Sequence, residues 1–353
     1  MRVLIRRTRP LSYTQILERP RIIVTGIVNG YTTSWTNRVL VNRDRKPCLT
    51  ALVSAGLFAG FILAWLEVAA AGTYGIGACP NDYAECLERW KGDRLAKLRG
   101  EEGYLNLVGL YWLKDGINNF GSSSGNDLVF PAFAPADMGT FALGPNGVAM
   151  TVQPDVEIRM RGELVKRVQM HDDTSRDPAV ATFGSLAWTV IRRGNRFAVR
   201  LRDFENPALS EFPPIDYYPT SLDLRIRAKL QRYDQPRIVR VDTVVEGLDY
   251  NPTAPGILHF EIGGQSFDLE AYDAGEELLL VFGDTTSGRE TYPAGRFLYT
   301  QKPDENDVVV LDFNTAQNPP CAFNEFATCP VASPRNRLAV PIPAGERFDP
   351  SGH

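Results

Sequence analysis

The sequence predicts a mainly β protein: an antiparallel sandwich or a barrel-like curved sheet, with one N-terminal amphipathic helix and a long C-terminal loop region. Three observations predict it. Short segments of alternating apolar and polar residues recur, among them VAMTVQ at 148–153, RFAVRLRD at 196–203, DLRIRAKL at 223–230 and RIVRVDTVV at 237–245, and a period of two marks a half-buried strand. Gly, Pro, Asn or Asp stands at most of the breaks, with Gly194-Asn195 and Gly263-Gly264 as two-residue breaks of hairpin type. No strand–helix–strand rhythm runs along the chain, which excludes Rossmann and TIM architectures.

Composition narrows the class further. The 353 residues are 44% hydrophobic and 23% charged, the balance of a globular chain and not of a disordered, collagen-like or coiled-coil one. The net charge of −4 hides an asymmetry, because the first 47 residues carry ten Lys/Arg against two acids. The body that follows is therefore acidic. Phosphate contacts need a basic face, so nucleic acid is not an expected partner.

The elements follow in order. Residues 1–48 form a basic leader with no convincing apolar period, expected to be disordered or to precede a true translation start near Val39 to Val41. Residues 49–72 are expected to be a signal peptide or membrane anchor. The stretch 49–71 has Glu67 as its only charge, Arg43, Arg45 and Lys46 lie just upstream, and Ala69-Ala70-Ala71-Gly72 lies at its exit. That is the basic, apolar, small-residue order of an export signal. Its uncharged core of 16 residues falls short of the roughly 20 that span a bilayer. The expectation is a periplasmic, extracellular or envelope-anchored protein, touching membrane only through 49–71 if that segment is retained. Ile76-Gly77-Ala78-Cys79 also has the small-residue look of a lipoprotein cleavage site.

Residues 79–349 are read as a single β domain. It opens with the amphipathic stretch 80–102, in which Leu87, Trp90, Leu95 and Leu98 fall near helical spacing and Gly100 and Gly103 punctuate the end. Of the five cysteines, Cys48 lies at the edge of the apolar segment, and the other four allow three disulfide connectivities. A Cys321–Cys329 bridge is expected. Cys79–Cys86 would span two helical turns, about 10 Å, unless the helix starts after Cys79. Neither pair has C-x-x-C spacing and the chain holds three His, so neither zinc nor any other cofactor is expected.

Chemistry-bearing motifs are sparse. G-x-S-x-G, P-loop, H-E-x-x-H and dinucleotide fingerprints are all absent. His259 sits in an alternating segment and His171 heads a polar turn, so both are read as packed or surface residues. The distinctive stretch is 282–346, where amides, carboxylates and one Arg recur while periodicity is weak. Long loops of this kind are functional or cross-linked, and Asn and Asp also satisfy backbone groups in such loops.

The segments GLYWLKDGINNFG (109–121), FGDTTSGRETYPAGRFL (282–298) and DFNTAQNPPCAFNEFATCPVASPRNRL (312–338), with AGE at 344–346, resemble the bacterial family of unknown function DUF1684. The resemblance runs from about 83 to about 347. Family members usually carry Tyr where this chain has Gln317. The resemblance names the domain and is in keeping with export, but it supplies no activity.

Two functional readings follow. In the first, an envelope β protein binds a small polar or anionic molecule at the C-terminal loops through Asp284, Thr286, Tyr292, Arg296, Asp312, Asn314 and Asn318. Arg296 offers a fixed fork of donors to a carboxylate or phosphate, and Tyr292, Trp112 and Phe313 offer apolar walls. In the second, a hydrolase uses paired carboxylates, Asp284 and Asp312 with Glu346 as a third candidate. One carboxyl, raised by burial, would then serve as acid, and a hard divalent metal would suit the same residues with Asn314. The topological expectation is that Asp284, Arg296, Asp312 and Asn314 share one end of the sheet, with Arg296 between the two aspartates.

Overall fold

The computed structural model describes residues 22–28, 31–37, 75 and 82–348. The chain divides into two compact units, Met1–Leu66 and Glu67–His353. The described part of the first unit is an antiparallel hairpin, Ile22–Val28 with Tyr31–Asn37. The two segments are rich in β-branched residues and flank Asn29-Gly30, a strong hairpin signal. The rest of the expected leader, and all of the 49–72 signal or anchor, lie outside the described residues. Among the described residues, no helix is long and apolar enough to cross a membrane.

The second unit contains three main sheets. A five-stranded sheet places Arg167–Met170, Gly147–Val152, Gly139–Gly144, Gly116–Gly121 and Leu128–Val129 in that order. A six-stranded sheet runs Leu107–Trp112, Arg196–Asp203, Leu186–Arg193, Val180–Phe183, Arg159–Met160 and Glu163–Leu164. All neighbours in both are antiparallel except the short Leu128–Val129 strand. The two sheets share one core, in which Phe120, Phe130, Phe141, Trp188, Val199 and Leu201 are buried. Alternation decides which side chains enter it: Val199 and Leu201 point in, so Arg200 and Arg202 point out.

The third sheet is barrel-like. Its order is Arg296–Gln301, Glu277–Phe282, Gln265–Ala274, Thr253–Ile262, Arg225–Ile238 and Val308–Asp312. The outermost strands come back together at a seam, where Thr300 Oγ1 donates to the Val310 carbonyl at 2.8 Å. Leu278, Leu280 and Phe282 fill the inside with Phe260, Leu311 and Phe313. Leu279 and Val281 face the other way, against Ala327, Cys329 and Ala332. The Glu277–Phe282 strand is thus buried on both faces, which is why it reads as an apolar run without alternation.

The helix spans Tyr83–Arg99, and the Asp82 carboxylate caps it by accepting from the amides of Ala84 and Glu85. Its buried stripe is Cys86, Leu87, Trp90, Arg94 and Leu98. The expected Leu95 is only half-buried, and Arg94 occupies the fourth-residue ladder from Cys86 to Leu98. A second, four-residue helix spans Ala208–Glu211. Cys321 and Cys329 lie at disulfide distance, with Cα atoms 6.2 Å apart. Cys86 is buried with a free thiol, and Cys79 lies outside the described residues. His171 is exposed. His259 bridges Asp268 and Gln231 on the exposed face of the third sheet at 2.5 and 2.7 Å.

Candidate functional site

Two neighbouring networks hold the residues singled out above. The first is closed and buried. Arg296 enters its strand directly opposite Phe282, and two residues further along Asp284 meets it, with Nη2 to Oδ2 at 2.9 Å. Both side chains are essentially inaccessible, at 1% and 0% exposure. Arg296 also donates to the carbonyls of Ile342, Ala344 and Glu346. Asp284 Oδ1 accepts from Thr286 N and Oγ1 at 2.7 and 2.6 Å and from Ile342 N at 3.3 Å. Burial pulls the Arg296 guanidinium below the usual arginine range, and the Asp284 charge opposes that.

The same closure continues through Glu346. Its Oε1 accepts from Arg94 Nε at 2.8 Å and its Oε2 from Asn318 N at 2.6 Å. Arg94 Nη2 reaches the Asn318 carbonyl, and Asn318 Nδ2 donates to the Arg347 carbonyl, both at 2.9 Å. Gly345 makes this approach possible. Its φ is +77°, and a Cβ there would stand 2.3 Å from the Ala316 carbonyl oxygen. Tyr292 belongs to the same rim, donating to the Cys321 carbonyl at 3.2 Å and meeting Phe348 edge-on.

Asp312 belongs to the second network. It pairs in register with Arg225 across the strands, and Arg225 Nε stands 3.4 Å from Oδ2. Oδ1 accepts from Tyr83 OH at 2.9 Å and from Asn314 Nδ2 and N at 3.0 and 3.2 Å. Asn314 is itself clamped to Ser221 N and O. Oδ2 is buried and has no hydrogen bond. Burial pushes the Asp312 carboxyl above the ordinary aspartate value, against the pull of Tyr83, Asn314 and Arg225. Burial and the Asp312 charge push the Tyr83 phenol up in turn.

This second network borders open space. A cleft of about 290 Å³ lies along the barrel seam, and Arg225, Arg227, Thr300, Lys302, Asp304 and Asp312 are among its lining residues. Lys302 pairs with Asp273 at 2.9 Å, whereas the Arg227 side chain has no hydrogen bond or ion pair among the described residues. Among the described residues no group of three His, Cys, Asp or Glu is placed to hold a metal.

Residues 210–347 match the family described as "Protein of unknown function (DUF1684)". The matched stretch, less than half of the chain, is similar to that family. It holds the third sheet and both networks except Tyr83, Arg94 and Phe348, while the 109–121 motif and the first two sheets lie outside the match. No curated protein matches the chain. Among solved structures, the chain is similar to the solution NMR structure of an uncharacterised protein of Haloarcula marismortui. The identity is 28% over 40% of this chain and 80% of that one, with a TM-score of 0.35.

The structure therefore brings Asp284, Thr286 and Arg296 into one set and Asp312 and Asn314 into another. Arg296 is bonded to Asp284, whereas Asp312 meets Arg225. Both sets lie at the same end of the sheet, where Phe297 and Gln317 exchange backbone bonds. Sequence reasoning missed Arg94, Tyr83, Arg225 and Arg227. Tyr83 and Arg94 precede the matched stretch yet bond into it. For Arg94 a signal existed, since Cys86, Trp90, Arg94 and Leu98 repeat every four residues.

Proposed function

We propose that this protein is an exported binding module that holds a small polar anion in the seam cleft of its third sheet. The convergence of Arg225, Arg227 and Lys302 on one concave wall, beside the buried Asp312, carries the reading. Arginine forks suit carboxylate or phosphate oxygens. Asp312 and Thr300 add groups that would orient hydroxyls of the same ligand. Export is supported by the basic, apolar, small-residue order at 43–72 and by the cysteine pair at disulfide distance, which suits an oxidising compartment. Hydrolysis by paired carboxylates has weaker support: Asp284 is tied to a buried arginine and three further donors, and Asp312 answers to different partners.

The test is calorimetric titration of the full chain with inorganic phosphate, citrate, glucose 6-phosphate and glucose. At least one anion is expected to bind where glucose does not, and Arg227→Ala is expected to weaken it by about tenfold or more. Equal binding by the wild type and by the Arg225→Ala/Arg227→Ala double variant rejects the cleft as the site.

A further inference from the structure

A separate cavity of about 700 Å³ lies between the end of the helix and the outer face of the six-stranded sheet. Its floor is a cross-strand row: Val180 is in register with Thr189, and Thr189 with Arg200. Arg200 is the notable member. It stands in a central strand, between Leu110 and Thr189, and its Nε is buried without a hydrogen-bond partner. Among the described residues its side chain forms no hydrogen bond and no ion pair. Charges in proteins that are largely withdrawn from water are ordinarily paired, and half-buried Arg200, its side chain without a direct partner, has room at the cavity for a counter-charge.

The cavity wall supplies it only in part. Asp173 lines it and its charge favours the Arg200 cation, but its carboxylate is bonded to Arg193 Nη1 at 2.7 Å and to Arg192 N at 2.9 Å. Glu102 also lines it, from an exposed rim position. The neighbouring Arg202 adds positive charge and is held in place by the carbonyls of Gly103 and Glu102 and by Asn106. Burial, together with the neighbouring Arg193 charge, pulls Arg200 down to about 10, so it remains cationic at neutral pH. Ile191, Val180 and Leu98 give the same cavity an apolar side.

We propose that this cavity binds a small organic anion, its carboxylate or phosphate received by Arg200 in the field of Arg202 and its apolar part resting on Ile191 and Val180. The site is independent of the seam cleft, sharing no lining residue with it. Phenyl phosphate and octanoate are suitable probes, with phenol and octanol as uncharged controls, titrated into the full chain by calorimetry. At least one anion should bind, its control should not, and Arg200→Met should weaken binding by about tenfold or more. The titrations are repeated in an Arg225→Ala/Arg227→Ala background, so that any anion held at the seam does not contribute. Val180→Trp, which fills the rim at an exposed position while keeping Arg200, should also block binding, so a folding defect of Arg200→Met alone does not decide the matter. The proposal is overturned if neither anion binds, or if Arg200→Met and Val180→Trp both bind like the wild type.

Discussion

Arg94 and Glu346, 252 residues apart in sequence, form a buried ion pair with Nε and Oε1 2.8 Å apart. It fastens the helix to the segment whose backbone carbonyls cap Arg296, and the same carboxylate also accepts from the Asn318 amide. Charges so buried cost more when one partner is removed than the pair contributes against an apolar replacement.

Glu346→Ala should therefore destabilise the protein by about 3–5 kcal/mol, by leaving the Arg94 charge and the Asn318 amide unanswered. The paired change Arg94→Met with Glu346→Leu should recover much of that loss. Urea midpoints of the three proteins measure both effects. A double variant no better than Glu346→Ala would mean that the pair specifies the packing and not merely the charge balance.

Asp312 gives a pH dependence of defined sign. Its carboxyl is held above the ordinary 3.8 in the folded protein, so the native state binds the proton more tightly than the unfolded chain. That contribution is fully present below the ordinary value and is lost as pH rises through the native one. Asp312→Asn cannot titrate, so its stability relative to wild type should increase from acidic to neutral pH. Parallel urea curves between about pH 3.5 and 7 read the difference. A wild type that gains on the variant as pH rises would show Tyr83, Asn314 and Arg225 outweighing burial.

Gln317 is 2% exposed and its Nε2 has no partner. A buried amide without hydrogen bonds costs about 1–3 kcal/mol. Gln317→Met keeps the length and removes the polar group, so it should be neutral or raise the melting temperature. A clear fall in melting temperature would assign the side chain a partner in solution.

The strands were legible because most are half-buried and alternate, as in RFAVRLRD, whose valine and leucine face the core. The meeting of Asp284 and Arg296 was legible too, since consecutive antiparallel strands put one exit beside the next entry. The partner of Asp312 was not. Its strand pairs with the earliest strand of the sheet, 225–238, and no local pattern encodes a register across more than 80 residues. The role of 342–346 was hidden for a related reason: Arg296 is bonded there by backbone carbonyls, and carbonyls leave no mark in side-chain composition. The Ile22–Val28 hairpin was missed although Asn29-Gly30 announced it, because the surrounding basic residues drew the reading toward a leader.

The long span between Arg94 and Glu346 has a kinetic consequence. A chain synthesised from its N-terminus carries the Tyr83–Arg99 helix for some 250 residues before its buried partner exists. Until residue 346 emerges, Arg94 has no carboxylate to enter beside, and Arg296 lacks the carbonyls of 342–346. Closure of the barrel end is therefore a late, non-local event, the kind that slows folding. Nascent chains halted before residue 340 should remain open to protease at the helix, whereas the sandwich of residues 107–203, whose core is complete within itself, can form while the remainder is still being made.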